Sequence, residues 1–281
     1  MNHGYFYYKY FTPTGLILKH YNYFMNFTRT KIFSFLFLFI FVPASHPQII
    51  DDIKDFFNTG KDILYSPSQF NDKDILTISA VLWATATSFT VDNSVKDFAA
   101  QNHNKFNDKL FNIDKYYGSG YTFGAAGGIY LYGLAFCNSD VRLLGLRLGE
   151  ACGYAGIITT ILKYAIGRSR PYVNAGNLNF KPFRYNDDNW SLPSGHATEA
   201  FAFSTVMANE LDNFFWKFGW YTASTLVCAA RVYHNQHWFS DVVLGSAIGY
   251  FTGDFVCSRN KDNIQAAASS DRFIVSYKLN F

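Results

Sequence analysis

Few cysteines occur in the sequence, and they do not form a metal-binding pattern. The four thiols are far apart in the chain, and no CxxC or Cys/His spacing typical of zinc is present: Cys137, Cys152, Cys228 and Cys257. Clusters of Asp and Glu suited to Mg²⁺ are also missing. We therefore expect no metal and no other cofactor. All four cysteines lie in or beside apolar segments, which predicts buried free thiols and leaves any pairing open.

Acidic residues are absent from positions 1–44, whose only charged residues are Lys9, Lys19, Arg29 and Lys31. The formal net charge of +3 arises there, because the remainder has 20 basic and 21 acidic residues. A nearly neutral remainder lacks the basic surface that nucleic-acid binding requires. We therefore expect no nucleic-acid partner.

The same N-terminal segment has the features of an export signal. Arg29 and Lys31 precede an apolar stretch, residues 32–42, and the small residue Ala44 follows at a cleavage position. Eleven residues are short for a bilayer span, although an uncleaved membrane anchor is the alternative. Met25 directly precedes this pattern and is a candidate start codon. The segment predicts an exported protein, periplasmic or membrane-associated, with a water-facing active site.

Long apolar runs are scarce in the rest of the chain, and the mean hydropathy of the whole sequence, −0.03, is low for a protein with six membrane spans. Six apolar or small-residue-rich segments alternate with polar loops and are typical of helices: 75–91, 121–136, 152–166, 197–211, 221–230 and 242–256. Only residues 118–139 form an uncharged run of nearly bilayer length. We predict one all-α domain over residues 45–281, a helical bundle of about six core helices.

The C-terminal stretch RFIVSYKLNF has a different pattern. Phe273, Val275, Tyr277, Leu279 and Phe281 alternate with mostly polar neighbours, which is the period of a strand. One strand cannot close a barrel. We therefore predict a short extended tail docked on the helical domain.

The stretch SLPSGHATEAFAF places a turn before an apolar helix. Pro193 is tolerated at a helix approach and Ser194 is a favourable N-cap. Gly195 has no side chain, so an anion can approach the free N–H groups and the positive end of the helix dipole. His196 then lies beside the anion with an ordinary pKa suited to proton transfer. An ordinary capped helix with a surface histidine is the alternative.

Two further clusters contain charged residues at regular spacing. In ILKYAIGRSRP, Lys163 and Arg170 are seven residues apart, which predicts a shared helix face, whereas Arg168 is predicted to point away. In ARVYHNQHWFSD, His237 and Asp241 are four apart and adjacent on a helix. Arg231 can approach these two residues only if the helix breaks between Arg231 and His237, and the stretch His-Asn-Gln allows such a break. Surface cations and an ordinary His–Asp hydrogen bond are the alternatives.

Taken together, the three clusters form one ordered pattern. Lys163-x6-Arg170-Pro171, Pro193-Ser194-Gly195-His196 and Arg231-x5-His237-x3-Asp241 resemble the three-part signature of the type 2 phosphatidic acid phosphatase and vanadium haloperoxidase superfamily. Motifs carry the resemblance over residues 163–241, and the helical segments extend it to roughly 75–256. Ala230 departs from the pattern, because the third motif of the family usually begins with serine. That change removes a hydroxyl and none of the charged groups.

The resemblance implies a role for each residue. Lys163, Arg170 and Arg231 would surround a phosphate, and Ser194 with the Gly195 N–H would complete its cradle. The resemblance further implies that His237, oriented by Asp241, attacks phosphorus to form a phosphohistidine, and that His196 protonates the leaving oxygen. Three fixed cations can supply the charge neutralisation that phosphoryl transfer needs without a metal.

Three functions are compatible with this pattern. The first is a metal-independent phosphatase that acts on phosphomonoesters or diphosphates. Lipid substrates are favoured, because the chain is predicted to be exported and is rich in aromatic residues. A vanadium haloperoxidase would bind vanadate as cofactor with the same residues, whereas vanadate would inhibit a phosphatase. A non-catalytic phosphate or lipid binder would need only the cations. We expect a phosphorylated small molecule or lipid, and a membrane, as partners.

Overall fold

The computed structural model describes residues 47–211 and 213–278, and the regular structure of these residues is helical. The predicted export signal lies outside them. The predicted site residues all belong to one compact unit of the chain, which begins at Lys54. The prediction of an all-α fold is confirmed.

The described residues contain nine α-helices, with a long loop between the sixth and the seventh. They are α1 (Pro47–Tyr65), α2 (Asp72–Ser88), α3 (Asp92–Gln101), α4 (Lys105–Leu110), α5 (Gly120–Ala135), α6 (Ser139–Ile166), α7 (Gly195–Glu210), α8 (Phe214–Tyr233) and α9 (Phe239–Lys278). Each of the six apolar segments predicted from the sequence lies largely on one helix, namely α2 and α5 to α9.

The C-terminal stretch is helical and not extended. Helix α9 continues to Lys278, so the predicted extended tail is wrong up to that residue, and residues 279–281 lie outside the described part. No glycine or proline occurs after Gly253 to end the helix. The run Gln265–Ala268 also has high helix propensity, and an established helix propagates readily. These local preferences outweigh the short alternation of apolar residues.

The helices that carry the site pack closely because small residues line their crossing. A Cβ added at Gly245 or Gly249 of α9 would clash with the backbone oxygen of Ser194 or Thr198 on α7. Glycine alone therefore allows the two backbones to approach this closely. The main core cluster lies beside this crossing, with Leu148 and Val206 fully buried within it.

Three of the four cysteines are buried and outside any disulfide, as predicted: Cys152, Cys228 and Cys257. Cys137 is exposed, so the prediction is wrong for that residue. It lies in the tight turn between α5 and α6 with φ = 52°, and such turns run over the protein surface.

Among the described residues, none of the helices is both long enough and apolar enough to span a bilayer alone. Helices α2 and α3 together reach the required length and composition, and they meet at a bend of 58°.

Candidate active site

Lys163 and Arg170 approach the site from different local structures. Helix α6 ends at Ile166, and Gly167 adopts the left-handed conformation at φ = 64° while its N–H donates to the Lys163 carbonyl. Arg170 therefore lies in the loop, and the predicted shared helix face is wrong. Lys163 remains on the helix with its side chain buried, and its Nζ donates to the Trp190 carbonyl at 2.5 Å.

Arg170 connects the long loop to the third cluster. Its Nε and Nη2 donate to the main-chain and side-chain oxygens of Asp187 at 2.9 and 2.7 Å. Its Nη1 lies 3.2 Å from Oε1 of Gln236, in the break between α8 and α9. The guanidinium is thus held from two sides and is nearly buried.

Ser194 caps α7 as predicted, and Gly195 and His196 form the first turn of this helix. Its Oγ accepts a long hydrogen bond from the Ala197 N–H at 3.5 Å. The Ser194 N–H donates to the Asp241 carbonyl at 3.0 Å, which joins the second cluster to the third. His196 is partly buried.

Arg231 and His237 are brought together by the predicted break. Helix α8 ends at Tyr233 and α9 begins at Phe239. In between, the N–H groups of Gln236 and His237 donate to the Arg231 carbonyl at 3.0 and 3.3 Å. The chain therefore folds back over Arg231, and His237 lies before α9, not on it as predicted.

His237 and Asp241 are adjacent without being hydrogen-bonded. Nδ1 of His237 lies 3.6 Å from Oδ2 of Asp241, beyond hydrogen-bond range, and this buried nitrogen has no other partner. The same Oδ2 accepts hydrogen bonds from the Trp238 N–H at 2.8 Å and the Ser191 hydroxyl at 2.5 Å. Asp241 is therefore held in place by other groups and not by His237.

Arg168 holds the other oxygen of Asp241, contrary to the prediction that it points away. Because the helix has already ended, the completely buried guanidinium turns inward. Its Nη1 donates to Asp241 Oδ1 at 2.6 Å and to Ser240 at 2.7 Å, and its Nη2 donates to Asp92 at 2.6 Å. Asp92 lies at the start of α3, and sequence reasoning missed it.

Asp114 is a second acidic residue that sequence reasoning missed. It is buried in a 3₁₀ turn, residues 111–115, and its Oδ2 accepts from Arg231 Nη1 at 2.9 Å. His234 Nδ1 lies 3.0 Å from the same oxygen. The sequence offered no signal for Asp92 or Asp114, because both are isolated acids far from the three clusters.

The predicted site residues therefore lie on α6 to α9 and in the loops between these helices, and their order along the chain matches a known family. Residues 144–264 match the sequence profile of the PAP2 superfamily, a range that includes every predicted site residue. This part of the chain is similar to the PAP2 superfamily. Asp92 and Asp114 both precede the matched range, although both contact arginines within it.

Similar proteins include curated proteins and a solved structure. A lipid A 1-phosphatase of Porphyromonas gingivalis is 27% identical over 175 residues, covering 61% of this chain and 35% of that protein. A lipid A 1-phosphatase of Rhizobium etli is 33% identical over 116 residues, covering 39% of this chain and 47% of that protein. The chain thus spans between a third and a half of the length of these relatives.

A solved PAP2-type phosphatidylglycerolphosphate phosphatase from Bacillus subtilis matches with a TM-score of 0.52 at 17% identity. The match covers 66% of this chain and 96% of that chain. The two proteins share a helical fold.

Burial and the nearby cations keep the two histidines of this site neutral. Burial lowers the pKa of His237 well below its ordinary value, and the charges of Lys163, Arg170 and Arg231 lower it further. Burial and then Arg231 lower the pKa of His196 to about 3. Burial and the neighbouring Arg170 likewise lower the pKa of Lys163 to about 7. Both imidazoles thus carry a free lone pair at neutral pH.

Within the described ranges, no group of three or more His, Cys, Asp or Glu side chains is arranged to hold a metal ion. The absence of a cofactor stays a prediction.

Proposed function

We propose that this chain is a metal-independent phosphatase that hydrolyses phosphomonoesters or diphosphates of lipids through a phosphohistidine intermediate. One observation carries the proposal. Three cations, Lys163, Arg170 and Arg231, all act on a single buried and neutral imidazole, His237. Positioned cations around a nucleophile are what phosphoryl transfer requires.

The phosphate would bind between the cations and the start of α7. Arg231 Nε is buried without a partner and is available as a donor. The first N–H groups of a helix such as α7 are also free to donate to an anion. Binding of a phosphate anion raises the pKa of Lys163 and His196, because each then lies beside negative charge. Bound substrate therefore favours protonated Lys163 and His196, which the cations of the unliganded site disfavour.

In the first chemical step, the free ring nitrogen of His237 attacks phosphorus and the ester P–O bond breaks. The bonding electrons pass to the leaving oxygen, which takes a proton from His196. The developing positive charge on His237 draws Nδ1 toward Asp241, shortening the present 3.6 Å separation. Water then attacks phosphorus, the N–P bond breaks, His196 accepts the water proton, and phosphate leaves.

The lipid part of the proposal rests on relatives and on surface composition. Both curated relatives are named as lipid A 1-phosphatases. The chain also exposes large apolar side chains, with Trp83, Phe214, Phe215 and Trp216 all more than half exposed. Such a surface fits association with a membrane, where a lipid phosphate would be presented.

Activity measurements on the purified chain test this proposal. A lipid phosphate and p-nitrophenyl phosphate should both release phosphate, EDTA should leave the rate unchanged, and vanadate should inhibit by occupying the site. Loss of activity on chelation, restored by Mg²⁺ or Zn²⁺, would overturn the metal-free mechanism. Bromide oxidation by peroxide and vanadate without phosphate release would identify a haloperoxidase, and absence of both activities would identify a binding protein.

A further inference from the structure

A short turn near the end of the long loop, residues 187–190, contacts two of the three cations of the proposed phosphate site. Lys163 Nζ donates to the Trp190 carbonyl at 2.5 Å. Arg170 donates from Nε to the main-chain oxygen of Asp187 at 2.9 Å and from Nη2 to its carboxylate at 2.7 Å. Asp187 therefore places a negative charge directly on one cation of this site.

The Asp187 carboxylate lies at the boundary between the site and solvent. Its side chain is 74% exposed, whereas the side chain of its partner Arg170 is 10% exposed. Burial lowers the pKa of Lys163 and of Arg231, and the charge of Asp187 opposes this shift in both. The charge of Asp187 thus acts on the whole group of cations, and an anion bound by these cations also experiences it.

Arg170 is held in place without this charge. Its Nη1 lies 3.2 Å from Oε1 of Gln236 and 3.4 Å from the main-chain oxygen of the same residue, and its Nε donates to the Asp187 carbonyl. Three neutral acceptors therefore contact the guanidinium. A carboxylate beside an anion site also weakens anion binding by repulsion. The charge of Asp187 thus has a consequence for ligands beyond holding Arg170.

The repulsion by Asp187 depends on how much charge a ligand carries. A phosphate ester with a second negative charge close to its phosphate is repelled more than an ester with a neutral group there, because Coulomb energies add. Since Asp187 is exposed to solvent, water and salt reduce this difference but leave its sign unchanged. The site should therefore distinguish esters by the charge beside the phosphate.

We infer that Asp187 is a specificity-determining residue, which makes this site favour phosphate esters with a neutral group beside the phosphate over esters with a second negative charge there. The inference rests on the proposed phosphatase function. It narrows the substrates to phosphomonoesters, because a diphosphate carries its second charge directly beside the phosphate that is attacked. Asp187 acts by its charge and takes no part in making or breaking bonds.

Two small esters that differ by one charge test the role of Asp187. Phosphoglycolate carries a carboxylate close to its phosphate, and its amide has nearly the same size without that charge. The measurement is the ratio of kcat/KM for the amide to kcat/KM for phosphoglycolate. Asp187→Asn keeps an oxygen that can accept from Arg170 and removes only the charge, so it should lower this ratio about three- to tenfold. Asp187→Glu keeps the charge and should retain the ratio.

Asp188 provides the matched control, because it is the next residue of the same turn. Its carboxylate accepts from the Tyr172 hydroxyl at 2.9 Å, whereas the Arg170 N–H donates to its main-chain oxygen at 2.8 Å. Asp188→Asn makes the same change in net charge and should leave the ratio unchanged. Equal changes in both Asn variants, or no change in either, would overturn the role of Asp187.

Ionic strength gives an independent test, because screening acts on charges and not on packing. Raising it from about 0.01 M to about 1 M shortens the Debye length from about 30 Å to about 3 Å. The ratio of the wild type should then fall toward that of Asp187→Asn, whose own ratio should change less. A difference between the two proteins that is as large at about 1 M as at about 0.01 M would contradict an action by charge.

Binding measurements separate this inference from the proposed function. Calorimetric titration of phosphoglycolate and of its amide reports charge selection without catalysis. If the wild type hydrolyses neither ester but binds the amide more tightly, and Asp187→Asn removes this preference, the phosphatase proposal fails and the role of Asp187 stands. If the wild type hydrolyses both esters with a ratio that does not depend on Asp187, the role of Asp187 fails alone.

Discussion

The two sides of His237 differ in how fully their polar groups are paired. Behind it, Arg168 donates to two buried carboxylates at 2.6 Å and is completely enclosed. In front of it, Arg231 Nε is buried without a partner, as is the acceptor oxygen Asp114 Oδ1. The polar groups behind His237 are thus paired with one another, whereas in front of it a cationic donor is unpaired, as a site that binds and releases anions requires. The following predictions test this division.

The largest effect is expected at the front. His237→Ala should reduce phosphatase activity at least 10³-fold, because no other group at the site can form the covalent intermediate. Circular dichroism should show an intact fold, since the side chain makes no hydrogen bond to the back. A purified variant that retains more than a few per cent of wild-type turnover contradicts the assignment of His237 as nucleophile.

At the back, substitution should act mainly on stability. Arg168→Met leaves two carboxylates buried without their cation and should lower the free energy of unfolding by about 3–5 kcal/mol. Arg259 is the matched control, because it also bridges two aspartates, Asp55 and Asp62, in a more exposed setting. Arg259→Met should cost at most about 1 kcal/mol.

Urea unfolding of both arginine variants measures this difference. Equal losses would show that burial does not distinguish the two networks. Full stability of Arg168→Met would show that the hydrogen bonds of Arg168 to Asp92 and Asp241 do not stabilise the fold.

His196 should have an effect that depends on the leaving group. His196→Ala should slow the hydrolysis of alkyl phosphates about 100-fold more than that of p-nitrophenyl phosphate, because an acidic leaving group needs less protonation. His237→Ala should depress both substrates equally. The ratio of the kcat/KM losses is the measurement, and equal losses in His196→Ala would make this residue a phosphate ligand and not the acid.

The smallest effect concerns Glu150, which lies on neither side of His237. Burial raises its folded-state pKa to about 7, so the folded protein binds more protons than the unfolded chain between about pH 4.5 and 7. Stability contributed by this group is therefore present at low pH and lost as pH rises through that window. Glu150→Gln should remove this pH-dependent change in the free energy of unfolding, which is on the order of 1–3 kcal/mol. Melting temperatures of both proteins at pH 5 and pH 8 test this, and parallel curves would contradict it.

Local signals predicted the parts of the site that depend on local chemistry. Ser194 caps α7, and the stretch after Arg231 breaks the helix, because capping and turn preferences are set by neighbouring residues. The positions of Arg168, Asp92 and Asp114 could not be predicted. Each depends on a contact between residues more than 70 positions apart, which no periodicity reveals.

The errors have local causes as well. Helical periodicity predicts a helix that continues past Gly167, but the left-handed conformation of this residue ends α6, and both of the following arginines lie in the loop. The C-terminal alternation was short, and it was outweighed by helix propensity in α9.

The crossing of α7 and α9 also limits how this protein can change its specificity. Gly245 and Gly249 couple the turn at Ser194 to the helix of Asp241, so any larger side chain there separates the reacting groups from their cradle. Helix α6 instead presents Gly149 and Gly156 to free space. Substitutions at the crossing of α7 and α9 are therefore expected to disrupt the reacting groups, whereas a larger side chain at Gly156, which lines a cavity beside Lys163, is expected to change which substrates fit.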